Sequence, residues 1–75
     1  MTLDEFVQAF ADEFDETAVE LFSADTDFKS LDEWGSLTAL SIIAMVDEQM
    51  DKTITGADIR SCTTIKDLYE LAKSK

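Results

Sequence analysis

The chain has no histidine, no proline, two glycines and a single cysteine, and each shortage closes off some chemistry. Without histidine, the commonest zinc ligand and the commonest proton-transfer base are both missing. One thiol, Cys62, cannot form an intramolecular disulfide. Placed just ahead of the last helical stretch, Cys62 reads as a small buried residue rather than a catalyst. Ser36 and Cys62 are the only candidate nucleophiles, and neither has the usual activating base. Carboxylate pairs are abundant, but a chain of 75 residues can hardly form the cleft that two-carboxylate chemistry needs. The sequence therefore argues against a self-contained enzyme.

Cations are also scarce. Six Lys and Arg face seventeen Asp and Glu, for a net charge of -11. Such a surface repels phosphate backbones and anionic lipid, which argues against nucleic acid or membrane as a partner. It suits partners with basic patches and speeds their encounter. The longest apolar run, Ile42 to Val46, is far too short to cross a bilayer, and the opening Met1-Thr2-Leu3-Asp4-Glu5 lacks the basic region of a signal peptide. A cytoplasmic, monomeric protein of one domain, residues 1–75, is the expectation. A domain of this size buries only about 60% of its unfolded surface, so its stability should be modest.

What is present is helical periodicity. With 45% hydrophobic residues, no internal repeat and almost no helix breakers, the chain reads as an all-α bundle. Thr2 and Glu5 form a capping box, and Leu3, Phe6, Val7, Phe10, Ala11 and Phe14 follow on one stripe. Between Asp15 and Asp32 no period holds for long. Ala18 to Phe22 can make a short turn, and Phe28 and Leu31 read as pegs fastening a long loop to the core. Asp25-Thr26-Asp27 raises a calcium loop, but its sixth and twelfth positions are Ser30 and Ser36 where glycine and glutamate are needed. Thr55 caps a short helix over about Gly56 to Ser61. Thr64 caps a last helix whose Ile65, Leu68, Tyr69 and Ala72 share a face. Three main helices, a short fourth, and a long loop between the first two are predicted.

The centre of the pattern is Trp34-Gly35-Ser36-Leu37 and the helix running on to Met50. At about 100° per residue from Ser36, Ala39, Ile42, Ile43, Val46 and Met50 fill an arc of roughly 240–340°, the expected buried face. Leu37, Leu40 and Ala44 fall at roughly 40–100°, flanked by Asp47 and Glu48. Met45 falls among the polar remainder. Two readings of the second stripe stay open here: a docking surface beside the serine, or a face buried by another helix. Ser36 is equally open, as a modification site or a plain N-cap.

These residues resemble an acyl carrier protein, or more broadly a phosphopantetheine-binding carrier domain. Ser36-Leu37 at the head of an apolar helix carries the likeness. Thr26, Phe28, Leu31 and Trp34 before it, and Thr64, Ile65, Asp67 and Leu68 after it, extend it over nearly the whole chain. The resemblance implies a small acyl-carrier-like four-helix bundle and a phosphoprotein whose Ser36 receives a covalent 4′-phosphopantetheine arm. The arm would come from coenzyme A through a separate phosphopantetheinyl transferase. Its thiol would carry an acyl, polyketide or aminoacyl group as a thioester. Leu37, Leu40 and Ala44, with Asp47 and Glu48, would meet the basic patches of loading and processing enzymes. The family signature has Asp where this chain has Gly35, and Thr38 and Ser41 stand at positions often acidic in fatty-acid carriers. With Trp34, these departures point to a specialised bacterial pathway, fatty-acid synthesis being a variant of the same class. Gly35 also supports the alternative of an unmodified acidic adaptor that keeps the carrier fold and binds a basic protein.

Overall fold

A computed structural model describes residues 1–75, and its regular structure is all helical. Four α-helices span Leu3–Asp12 (α1), Ser36–Met50 (α2), Gly56–Ser61 (α3) and Ile65–Lys73 (α4). Two single 3₁₀ turns, Val19–Leu21 and Phe28–Ser30, punctuate the long connection between α1 and α2. This is the expected small bundle.

Three of the four helices start on reciprocal caps. The Thr2 hydroxyl accepts from the Glu5 amide while the Glu5 carboxylate accepts from the Thr2 amide. Thr55 with Asp58, and Thr64 with Asp67, repeat the arrangement. The sequence pattern contained the first box and both threonines; the returning carboxylates of Asp58 and Asp67 complete the other two. Accepting these bonds holds the Glu5 and Asp67 carboxyls below their ordinary range. For Asp58 the leading cause is Lys75, which pairs with it at 3.0 Å, and the Thr55 amide adds to it.

The sixteen buried residues are all apolar. All seven aromatic rings belong to one connected set. Tyr69 meets Phe6 at 5.3 Å, Phe6 meets Phe10 at 6.3 Å, Phe10 meets Phe28 edge-on at 5.5 Å, and Phe28 meets Trp34 edge-on at 4.8 Å. Phe14 and Phe22 lean on Phe10 from the side, at 5.6 and 6.2 Å. Each such pair adds about 0.5–1.5 kcal/mol beyond the area it buries. This column ends at the residue just ahead of Gly35 and Ser36. Helix α1 stops at Asp12, two residues short of the end of the apolar stripe, yet Phe14 is still buried. The amides of Glu13 and Phe14 bond back to Phe10 and Ala11, a tightened last turn that swings Phe14 inward.

The long connection is pegged and also tied. Phe28 is fully buried and Leu31 packs half-buried against the core, as expected, and Phe22 adds a third peg. The Ile65 amide donates to the Thr26 carbonyl at 3.2 Å and the Lys66 amide to the Ala24 carbonyl at 2.9 Å. The first amides of α4 have no partner within their own helix. The loop supplies those acceptors, so loop and helix stabilise each other.

The buried face of α2 is rotated from the predicted arc. Ile42, Met45 and Val46 are buried, while Ala39, Ile43 and Met50 are only partly covered. Met45, assigned to the polar side from the pattern, is in the core. Helix α2 packs against α1, α3 and α4 together, and that wide contact reaches round to the flexible thioether side chain.

Candidate functional site

The start of α2 is held from behind by Glu33. Its carboxylate accepts from the Glu16 amide at 2.8 Å, the Asp15 amide at 3.2 Å and the Thr17 hydroxyl at 2.6 Å. These bonds, the Thr17 hydroxyl first, hold the Glu33 carboxyl below its ordinary range. The Thr38 hydroxyl donates to the Glu33 carbonyl at 2.8 Å, closing the turn that leads into the helix. With Trp34 locked into the aromatic column, the approach to Ser36 is fixed on both sides.

Ser36 is the first residue of α2, and Gly35 is its N-cap. Gly35 has no side chain to cap with, and Ser36 lies one place too late to do so. The plain N-cap reading of Ser36 is thereby removed. Its hydroxyl is exposed and bonds to nothing in the protein. The amides of Ser36, Leu37 and Thr38 likewise have no acceptor, the first bonded amide of the helix being Ala39, to the Gly35 carbonyl at 2.9 Å. No acidic residue lies in this first turn. Alone among the α-helices, α2 offers a start with no side-chain cap, where an anion on the serine oxygen would meet N–H groups and the positive end of the dipole. These residues fit a phosphodiester attached at the hydroxyl.

Leu37 and Leu40 are 81% and 61% exposed, so the second stripe is not covered by another helix. Ala44, Asp47 and Glu48 are exposed alongside it. On another side of Ser36 lies a groove of about 330 Å³, floored by Trp34, Ala39 and Ile59 and bordered by Lys29 and Arg60. The Lys29 ammonium donates to the Arg60 carbonyl at 2.8 Å, tying the second 3₁₀ turn to α3.

The structural roles of four residues at this site have no signal in the sequence pattern. Glu33 and Thr38 act through bonds that no helical period reveals, and Lys29 and Arg60 come together only in the fold. Cys62 is buried beside Ser61, and burial pushes its thiol up, away from a reactive thiolate. No cluster of three or more Cys, Asp or Glu side chains is placed to hold a metal ion. No helix is long and apolar enough to cross a membrane.

A family model described as "phosphopantetheine attachment site" matches residues 4–72. No curated protein and no solved structure matches the chain.

Proposed function

The chain belongs to the phosphopantetheine-attachment family, whose members are non-catalytic carriers of a covalently bound 4′-phosphopantetheine, and from that premise we propose that Ser36 is the attachment residue. The observation that carries this is the uncapped start of α2: an exposed hydroxyl with no partner, over three amides with no acceptor. In the loading step the Ser36 oxygen bonds to the phosphorus that bears the pantetheine of coenzyme A. The P–O bond to the nucleotide breaks, adenosine 3′,5′-bisphosphate leaves, and the serine proton passes to a base on the transferase. The protein contributes the oxygen, its position and donors for the new anion. Once attached, the arm supplies a thiol that carries an acyl, polyketide or aminoacyl group as a thioester.

Leu37, Leu40 and Ala44 are the docking stripe in this reading, with Asp47 and Glu48 beside it to meet the basic rims of the transferase and of the loading and processing enzymes. Chemistry belongs to those partners. A single buried thiol and Trp34 ahead of the serine fit a cytoplasmic carrier of a specialised pathway, or one of fatty-acid synthesis.

The test is an intact mass after co-expression with a broad-specificity phosphopantetheinyl transferase, with Ser36→Ala as control. Wild type should gain the mass of the arm and the variant should not, and peptide mapping should put it on Ser36. A gain on any other residue overturns the assignment. One observation favours a second reading: Gly35 stands where the family has Asp. An unchanged mass, under conditions that load an ordinary carrier, supports the unmodified adaptor that binds a basic protein.

A further inference from the structure

The groove beside Ser36 is bordered by cations on a surface that is mostly acidic. Only six cations are present against seventeen carboxylates, yet two of the six, Lys29 and Arg60, border the same groove as the serine. Both are held in place. The Lys29 ammonium is anchored on the Arg60 carbonyl at 2.8 Å and lies 5.9 Å from the centre of the Phe28 ring. The Arg60 guanidinium folds back along α3, so that a Cβ at Gly56 would sit 3.4 Å from its Nη1. Neither forms an ion pair; the one salt bridge of the protein joins Lys75 to Asp58.

Resting on the reading that Ser36 is modified, we propose that Lys29 and Arg60 form an anion site for the phosphodiester joining Ser36 to its arm. The arm then leaves the serine over the Trp34, Ala39 and Ile59 side, away from Leu37 and Leu40. Loading adds a negative charge to a chain already at -11. Towards Asp47 and Glu48 that charge is repelled; towards Lys29 and Arg60 it is attracted. Exposed ion pairs between free groups hold weakly. A phosphodiester bonded to a residue of the same groove is presented at high effective concentration, so a weak contact is still populated. The arm and the docking stripe thus take different sides of α2, and a partner can seat on the leucines without displacing the arm.

The experiment uses holo protein whose loading is first confirmed by intact mass. It compares the ³¹P resonance and the backbone amide shifts of wild type with Arg60→Gln, Lys29→Gln and the double variant. Arg60→Gln keeps the carbonyl that anchors Lys29, so it is the cleaner substitution; Lys29→Arg should preserve the wild-type signal. Melting curves confirm that each variant is folded. Loading should move the amides of Lys29 and of Gly56 to Arg60. In the double variant the ³¹P resonance should shift towards its position in urea-unfolded holo protein. Salt raised from about 0.1 to 1 M, which shortens the screening length from about 10 to 3 Å, should shift the wild-type signal the same way. A ³¹P resonance identical in wild type and the folded double variant overturns the proposal. So does a response of Gly56 to Arg60 only when the thiol bears a carboxylate-containing acyl group, which would assign the pair to cargo. An unchanged mass fails the reading of Ser36 itself, and the anion site with it.

Discussion

Leu40 and Ile42 are near neighbours on one helix, and truncating each to alanine should have opposite consequences. Ile42 is fully buried, and removing its side chain should cost about 2–5 kcal/mol. Leu40 is 61% exposed, so Leu40→Ala should stay within about 0.5 kcal/mol while slowing the transferase. Thermal melts and loading time courses on both variants check this; a Leu40→Ala protein that unfolds would make the stripe structural. Gly35 is a second position where one residue decides between readings. Its backbone is extended, with φ −175°, and a Cβ there meets nothing within 4 Å. Gly35→Asp is therefore accommodated, and its carboxylate can accept from the open amides of Leu37 or Thr38. Asp exceeds Gly as a cap by only a few tenths of a kcal/mol. Stability should hardly change, and loading by a general transferase should become faster. Equal rates for the two proteins would show that the missing carboxylate is irrelevant to recognition.

Between elements, the decisive contact is Glu33 gripping the chain at Asp15 to Thr17. Its carboxyl titrates lower folded than unfolded, so its stabilisation is present above the unfolded value, about 4.3, and fades as pH falls through the lower folded one. Glu33→Gln should accordingly melt earlier than wild type near pH 7, with the two curves converging once the pH is below the folded value. A gap that persists undiminished in acid would mean that packing, not ionisation, is what the substitution removes. This contact also marks the limit of what could be read in advance. The caps Thr2, Thr55 and Thr64 and the stripe of α1 are local, with partners three or four residues away, so they were legible in the sequence. Ser36 at the head of α2 and the separate Leu37 and Leu40 stripe were legible for the same reason. Glu33 on Asp15, Lys66 on Ala24 and Lys29 on Arg60 join residues far apart in the chain, where periodicity carries no information. Met45 was misassigned because a helix packed on several sides hides more of its circumference than one arc.

Across the whole molecule the governing quantity is charge on a small body. The net charge of -11 sits on a shape of 29 × 24 × 20 Å with one salt bridge. At about 0.1 M salt the screening length is about 10 Å, comparable with the 10.9 Å radius of gyration, so the carboxylates repel one another over much of the surface. Added salt should relieve this and raise the melting midpoint; a gain of about 1 kcal/mol corresponds to about 4–8 °C in a protein of this size. Melts across a salt series measure it, and a constant midpoint would mean that the acids are already compensated. The aromatic column reaches across the same body and ends at Trp34, the one tryptophan in the chain. Its indole packs on Phe28 and forms part of the wall next to Ser36. The protein therefore has a single tryptophan, which can be excited apart from Tyr69, located at its own candidate site. Unfolding moves that ring into water, whereas a group arriving on Ser36 alters its surroundings with the column intact. Unlabelled protein thus gives two distinguishable emission changes, one for the fold and one for loading.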